Sequence, residues 1–275
     1  MAGPHQRGAS AAPGASAAAA ARALAVALLA LVGWWVHARL GGVSARADRT
    51  ADGGVSTARL FNWHPVLMTL AFPVLMGEAL LAYRSPWLPD APRPLRKLAH
   101  GAFHSLAAVC VAAGLSAVWR SHDEASPPVP NLYSPHSFVG LAAVCLFGLQ
   151  FAIGAGFYAW PGAPLHRRQA LGPVHRFLGR AVFVCGLAAA AMGLQEKATF
   201  LQAFGKKDVR SPDIAAPAWA ALLLLPLGAA VLGAQAAPDD GAPGGVARPP
   251  SGQHLPLPAD DGGSAAELGY AAAAR

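Results

Sequence analysis

Charged side chains are scarce in this chain of 275 residues, of which only 13% are Asp, Glu, Lys or Arg and 54% are hydrophobic. An average soluble domain carries about 25% charged residues. The few charges lie in the gaps between long apolar blocks, a distribution that a soluble core does not require. The scarcity therefore excludes an ordinary soluble globular protein and indicates an integral membrane protein.

Cysteine is equally sparse. The three cysteines, Cys110, Cys145 and Cys185, all fall inside apolar blocks, with no CxxC pair and no metal-type spacing. Cysteines of this kind are best interpreted as small apolar side chains in a helix bundle. They give no evidence for a disulfide framework or a zinc site.

Long apolar blocks are what the sequence does have. Six of them are about 20 residues long, the length that a helix needs to cross the hydrocarbon core. We therefore predict an all-α integral membrane protein with six transmembrane helices. The predicted spans are 17–39, 63–83, 99–119, 136–160, 175–195 and 214–236.

The first apolar block has an alternative interpretation. Arg7 and Arg22 precede a short apolar core, as they would in a signal peptide. The block continues, however, through Trp34 and Trp35, which suit a membrane interface. We expect a retained helix.

Basic residues concentrate in the loops near 84–98 and 161–174. By the positive-inside rule, these two loops and both termini are expected to face the cytosol. The net charge of +7 follows from this topology and not from one soluble basic face, so we expect no nucleic-acid partner and a lipid bilayer around the helices.

Composition divides the chain into three parts. Residues 1–16 and 237–275 are rich in small residues, Pro and Gly, cannot bury a core, and are expected to be disordered and cytosolic. Residues 17–236 form the six-helix domain. Its two outer helices could carry a homodimer contact.

Four histidines define two membrane depths. His64 and His136 begin the second and fourth spans, which run in the same direction, so they lie at one level. His100 and His175 begin the third and fifth spans and share the opposite level. One such histidine could be only an interfacial side chain, but four at matching depths are hard to attribute to capping, and intramembrane ionisable groups are functional candidates.

Paired histidines across a bundle core can ligate a metal or both axial positions of a haem iron. Zinc would need further ligands, and none is evident at either level. We therefore predict two haems held by the inner four helices, one by His64 with His136 and one by His100 with His175. His104 lies on the same face as His100 and is an alternative ligand; the level shared with His175 favours His100.

Three residues bear on the shape of the helices that carry these histidines. Asn62 is predicted to cap the second helix, and Pro73 to kink it. Pro135 is tolerated if the fourth helix begins at that residue.

Six segments in this order resemble the cytochrome b561 family of six-helix transmembrane ascorbate-dependent oxidoreductases, and together they cover about 60–205. They are FNWHPVLM (61–68), GEALLAYRS (77–85), RKLAHGAFH (96–104), NLYSPHSFVG (131–140), LGPVHRFLG (171–179) and GLQEKATF (193–200). The resemblance implies two haem b groups on the same histidine pairs. It also implies electron transfer from cytosolic ascorbate to monodehydroascorbate or a ferric chelate across an endomembrane or the plasma membrane.

The resemblance further implies roles for residues around the haems. Arg93, Lys97 and Arg168 would bind ascorbate, a monoanion that cations suit, although such residues could also only fix topology. On the opposite face His122 would serve the second substrate and take up a proton. The other family positions near the haems are Arg84, Asn131, Leu132, Tyr133, Ser134 and Glu196.

A non-redox protein is the alternative class. The same intramembrane histidines could relay protons in a proton-coupled transporter.

Overall fold

Six long helices dominate the computed structural model, which describes residues 13–84, 91–159 and 162–237. Each is long and apolar enough to cross a membrane, so the predicted all-α fold with six membrane helices is confirmed. The helices are α1 (Gly14–Arg39), α2 (Ala58–Leu81), α3 (Arg93–Asp123), α4 (Pro135–Ala159), α5 (Leu165–Ala203) and α6 (Pro212–Ala236).

The first helix begins earlier than expected. Helical backbone starts at Pro13, runs as an α-helix over Pro13–Trp34 and ends in a π-helical turn, Trp35–Arg39. Proline is favourable in a first turn, and the alanines that follow are strong helix formers. Residues 13–16 are therefore helical and not disordered, whereas the rest of both predicted disordered segments, 1–12 and 238–275, lies outside the described residues.

The second helix is interrupted by a π-helical segment. Its α-helical parts are Ala58–Phe61, Trp63–Thr69 and Gly77–Leu81, and Leu70–Met76 between them is π-helical. Pro73 lies in that segment, where its missing N–H removes a regular helix bond. The expected disturbance at Pro73 therefore takes the form of a π-segment, in which each hydrogen bond spans one more residue than in an α-helix.

The third and fifth helices extend beyond their predicted spans. α3 begins at Arg93 and α5 at Leu165, both well before the predicted starts at 99 and 175. His100 and His175 therefore lie about two or more turns inside their helices and do not begin them. The spans predicted from apolar composition leave out these first turns, because their residues are polar and come directly after prolines.

The fourth helix begins where Pro135 requires. Ser134 caps it, with its hydroxyl accepting from the Ser137 backbone N–H, and Pro135 occupies the first helical position. The helix continues to Gly154 and ends in a π-helical turn, Ala155–Ala159.

A short two-stranded ribbon lies in the loop between α1 and α2. Strand β1 (Asp48–Arg49) pairs antiparallel with β2 (Val55–Ser56). The sequence did not predict it, because two-residue strands leave no periodic pattern.

The helices pack as two hairpins with two further helices beside them. α2 packs along α3, and α4 along α5, whereas α3 and α4 barely touch. α1 packs along α6, and this pair covers α2 and α5. The inner four helices therefore consist of an α2–α3 hairpin and an α4–α5 hairpin that face each other.

Two ion pairs attach the outer helices. Arg22 of α1 forms a bidentate pair with Glu78 of α2, at 2.8 and 2.9 Å. Arg39 pairs in the same way with the buried Asp213 of α6, at 3.0 and 3.2 Å. In each pair the guanidinium donates two charge-assisted hydrogen bonds to one carboxylate.

Asn62 does not cap the second helix, contrary to prediction. Its own backbone is helical, and its side chain donates to the carbonyls of Leu40 and Gly42, at 3.0 and 2.7 Å. With only 1% of its surface exposed, Asn62 fastens the end of α1 to the start of α2.

This arrangement predicts that Asn62→Ala is destabilising. The substitution leaves two carbonyls at a buried site without their donor, which costs about 1–3 kcal/mol. Thermal unfolding in detergent, followed by circular dichroism, should show a midpoint several degrees lower. Ser105→Ala is the control: its exposed hydroxyl bonds only its own helix, so an equal drop in both variants would contradict the role given to Asn62.

Candidate functional site

The four predicted histidines lie at two ends of the inner helices. We call the end where α2 and α4 finish and α3 and α5 begin the basic end, and the other the opposite end. The rings of His100 and His175 face each other at the basic end, with centres 6.4 Å apart. Those of His64 and His136 do so at the opposite end, with centres 6.1 Å apart. The structure thus brings together both predicted pairs.

These separations suit one metal atom between each pair of rings. A metal–imidazole bond of about 2 Å on either side, with ring centres about 1 Å behind their nitrogens, requires about 6 Å between centres. Among the described residues, no group of three or more His, Cys, Asp or Glu could hold a metal ion. Two-ligand coordination, as in a bis-histidine haem, is therefore the metal chemistry that the rings fit.

Hydrogen bonds to backbone carbonyls fix the tautomer of three of the imidazole rings. His64 Nδ1 lies 3.1 Å from the Gly114 carbonyl, and His100 Nδ1 2.8 Å from that of Ala79. His136 Nδ1 likewise lies 2.9 Å from the Ala189 carbonyl. A carbonyl only accepts, so each Nδ1 carries the hydrogen and each Nε2 keeps its lone pair for a metal.

The fourth ring has a side-chain partner instead. Gln150 of α4 places Nε2 2.9 Å from His175 Nδ1 and close to the His175 carbonyl, while its Oε1 is buried without a partner. The Gln150 amide donates to the His175 carbonyl, so no carbonyl acceptor fixes the hydrogen of this ring on Nδ1. A buried glutamine in an apolar span is a signal that could have been noticed in the sequence.

Each ring is held by the other helix of its own hairpin. His64 and His100 bond across the α2–α3 hairpin, and His136 and His175 across the α4–α5 hairpin. A Cβ added at Gly193 would lie 2.7 Å from His136 Cε1, and one at Gly154 3.2 Å from His175 Cε1. These two glycines therefore admit the rings.

Equal spacing along the four helices keeps the two levels in register. Each inner helix carries a histidine at one level and, at the other level, the residue that bonds a histidine of the neighbouring helix. These two positions are 14 residues apart on three of the helices and 15 residues apart on α2. The intervals are His100 to Gly114, His175 to Ala189, His136 to Gln150 and His64 to Ala79. The extra residue lies in α2, whose π-segment accommodates one more residue without changing the register. Fourteen α-helical residues place the two levels about 21 Å apart along the helices.

His104 lies beside the pair at the basic end. Its ring centre is 4.5 Å from that of His100 and 5.9 Å from that of Phe147, and its Nδ1 is buried without a hydrogen-bond partner. The ring that faces His175 is that of His100.

The predicted donor-site cations surround the basic end. Arg93, Lys97 and His100 follow at helical spacing on one face of α3. Arg168 lies seven residues before His175 and so on nearly the same face of α5. The Arg168 Nε is buried without an acceptor, as a site for an anion requires.

Two tyrosines connect these cations to the histidine rings. Tyr83 lies 5.7 Å from His100 and Tyr158 5.2 Å from His175, measured between ring centres. The Tyr158 hydroxyl donates to the Arg168 carbonyl at 3.0 Å. Burial raises the pKa of Tyr83, which nearby Arg93 opposes, so the phenol stays neutral.

Arg84 is placed differently. A guanidinium nitrogen lies 3.5 Å from the Gln235 carbonyl, at the end of α6. Arg84 therefore contacts the end of an outer helix.

At the opposite end His122 is oriented by a loop. Its Nδ1 donates to Asn131 Oδ1 at 2.9 Å, and Asn131 Nδ2 approaches Asp123 at 3.4 Å. Leu132 has a φ of 55°, in the left-handed region that few leucines adopt. Asn131 and Tyr133, the residues before and after this leucine, both lie beside His122, and the ring centres of Tyr133 and His122 are 6.1 Å apart.

Ser134 and Glu196 also meet at this end. The Ser134 hydroxyl donates to the Glu196 carboxylate at 3.1 Å, which joins the start of α4 to α5. Burial, followed by the nearby charge of Glu196, raises the pKa of Tyr133, so its phenol also remains protonated at neutral pH.

A family model described as eukaryotic cytochrome b561 matches residues 63–201, the segment that carries all four rings. The chain belongs to the cytochrome b561 family. Membership implies haem b as the cofactor, and the site fits: paired rings, free Nε2 atoms and glycines that admit the rings.

Curated relatives extend the comparison. Over 214 residues the chain is 34% identical to ascorbate-specific transmembrane electron transporter 2 of Zea mays, covering 78% of this chain and 86% of the relative. It is 40% identical over 149 residues to a plasma membrane ascorbate-dependent reductase of Xenopus tropicalis, covering 54% of this chain and 51% of the relative. Transmembrane ascorbate ferrireductase 1 of Arabidopsis thaliana is 37% identical over 143 residues, 52% of this chain and 58% of the relative.

The contact between Gly193 and His136 predicts that Gly193→Ala displaces the ring and reduces bound haem b. Pyridine haemochrome absorbance per chain measures the loss. Gly148→Ala is the matched control, because nothing lies within 4 Å of a Cβ added there. Equal haem in the two variants would show that Gly193 is not required by the ring.

The π-segment predicts unequal tolerance of deletions. Removing Val74, together with Pro73→Ala, converts the segment to an α-helix and should retain haem b. Removing the exposed Ala188 from α5 rotates everything beyond it by about 100° and should lose haem. The same haemochrome assay applies, and loss in the first variant with retention in the second would refute the register assignment.

Proposed function

We propose that this protein carries single electrons across a membrane, from ascorbate at the basic end to an acceptor at the opposite end. Two haem b groups would be held, one by His100 with His175 and one by His64 with His136. Haem bound at each pair would supply a one-electron carrier. The acceptor would be monodehydroascorbate or ferric iron, and the membrane an endomembrane or the plasma membrane.

The observation that carries this proposal is the pairing of the four rings. Each pair combines one histidine from each hairpin, and three of the rings donate Nδ1–H to a carbonyl, which leaves Nε2 free. A proton relay would instead need both ring nitrogens to exchange hydrogens. Fixed donors of this kind favour metal ligation over the transporter alternative.

The donor site would lie among the cations of the basic end. Arg168 offers a buried Nε without an acceptor, and Arg93 and Lys97 are exposed on the α3 face that carries His100. Guanidinium and ammonium groups hold an anion such as ascorbate by charge-assisted hydrogen bonds. The basic end would face the cytosol, as the positive-inside rule predicts.

The acceptor would bind at the opposite end. There His122 holds its hydrogen toward Asn131, so its Nε2 can exchange a proton with a bound substrate. Asn131, Leu132, Tyr133, Ser134 and Glu196 would shape the surroundings of the haem at that end. Arg84 would act at the basic end, through its position beside α6.

The names of the relatives support this assignment. They describe an ascorbate-specific electron transporter, an ascorbate-dependent reductase and an ascorbate ferrireductase. The chain spans about half the length of the Xenopus reductase that it matches. A ferric acceptor and an ascorbate-derived acceptor are both represented among these names.

Ascorbate should reduce the purified protein, and Arg168→Ala should weaken that reaction. Stopped-flow absorbance of the reduced haem gives the rate at increasing ascorbate. Loss of one charge-assisted contact should raise the apparent KM by about tenfold. Arg167→Ala, the exposed neighbour with the same charge, is the control; equal effects, or no reduction of the unchanged protein, would reject the proposal.

The choice of ligand at the basic end gives a second prediction. His100→Ala should lose the haem held with His175, whereas His104→Ala should retain it, because only the His100 ring faces His175. Reduced-minus-oxidised spectra of the two variants measure this. The reverse result would make His104 the ligand.

A further inference from the structure

Lys197 is a half-buried cation at the opposite end. Its Nζ lies 4.5 Å above the centre of the Phe61 ring. The Phe61 ring lies 5.9 Å from that of His64. Cation, aromatic ring and candidate haem ligand thus follow one another from α5 to α2.

No carboxylate compensates this ammonium. Within residues 13–84, 91–159 and 162–237, Lys197 takes part in no ion pair or hydrogen bond. The adjacent Glu196 points to α4, where it accepts from Ser134. A partly desolvated cation without a counter-ion is unfavourable, so a ligand that supplies negative charge would stabilise it.

Membrane topology does not explain Lys197 either. Positive charge is expected at the basic end, and Lys197 lies at the other. Three other cations of the opposite end do have carboxylate partners: Arg39 and Lys207 pair with Asp213, and Arg120 pairs with Glu124.

We propose that Lys197, resting on Phe61, binds the anionic electron acceptor at the opposite end. This rests on the electron-transfer function proposed above and adds the residues that hold the acceptor. The ligand class is a small organic anion with a carboxylate or enolate oxygen. Monodehydroascorbate and the carboxylates of a ferric chelate share that chemistry.

The contact with Phe61 suits a reversible site. A cation–π contact is weaker than a charge-assisted hydrogen bond, so an arriving anion draws the ammonium from the ring on its flexible stem. The uncovered ring then offers an apolar surface next to His64.

The acceptor half-reactions balance with the donor. Ascorbate monoanion at the basic end loses one electron and one proton. At the opposite end, monodehydroascorbate gains one electron and one proton and becomes ascorbate monoanion, whereas a ferric chelate gains one electron only. Lys197 holds the negative charge and supplies no proton; His122 is the group placed to exchange one.

The test measures reoxidation of the full-length protein in nanodiscs after reduction with dithionite. Three acceptors are mixed in separately: ferric citrate, monodehydroascorbate generated by pulse radiolysis, and the cation hexaammineruthenium(III). For Lys197→Gln we expect the apparent KM for an anionic acceptor to rise at least about tenfold. The rate with the ruthenium cation should not fall, and Lys197→Arg should retain most of the affinity.

Lys206→Gln is the matched control, since it removes the same charge from an exposed residue at this end. Equal effects of Lys206→Gln and Lys197→Gln, or an equal loss with anionic and cationic acceptors, would overturn the proposal. A response to ferric citrate alone, or to monodehydroascorbate alone, identifies which anion the site takes.

Structural damage is separated by haem content and by a second variant. Lys197→Met keeps the apolar stem, so it should bind haem normally and show the same selective loss as Lys197→Gln. If neither variant retains haem, the ammonium is structural and the proposal fails. Because reduction uses dithionite, failure of ascorbate to reduce the protein would reject the proposed function without affecting this test.

Discussion

The hydrogen bond from each histidine ring to the neighbouring helix of its hairpin is the constraint on which the rest of the site depends. An imidazole has two nitrogens, and a bond that fixes the hydrogen on one leaves the other as a ligand. At three positions the acceptor is a backbone carbonyl, which no side-chain substitution removes. At His175 the partner is Gln150, so that ring alone depends on the identity of a side chain.

Because each ring bonds within its own hairpin, it is free to face the other hairpin. This explains why α3 and α4 barely touch although both belong to the inner four helices. It also explains the common spacing between levels, since a helix that carries a ring at one level must present an acceptor at the other. α5 shows the rule along one face: Arg168, His175, Ala189 and Glu196 recur at multiples of seven residues, which an α-helix keeps nearly aligned.

Much of this could be predicted from the sequence, because the membrane makes composition informative. A run of about twenty apolar residues implies a spanning helix, so the position of a histidine within that run gives its depth in the membrane. The pairs of rings followed from direction and depth alone. The polar first turns of α3 and α5 could not be predicted in the same way, because apolar composition marks a membrane span and not the ends of a helix.

Other features depend on contacts distant in sequence. Asn62 looked like a local cap but bonds the loop after α1, and local pattern gives no access to such a partner. The π-segment at Pro73 keeps the two histidine levels in register, and this role is visible only from the spacing along all four inner helices. The contact of Lys197 with Phe61 joins residues far apart in the chain, so no local pattern predicts it.

The most direct measurement of the central claim is low-temperature electron paramagnetic resonance of the oxidised protein with each of the four histidines replaced by alanine. Two low-spin haem signals should be present in the unchanged protein. His64→Ala and His136→Ala should abolish one and the same signal, and His100→Ala and His175→Ala the other. Loss of one common signal in His64→Ala and His100→Ala, or a single haem signal in the unchanged protein, would contradict the pairing of the rings across the two hairpins.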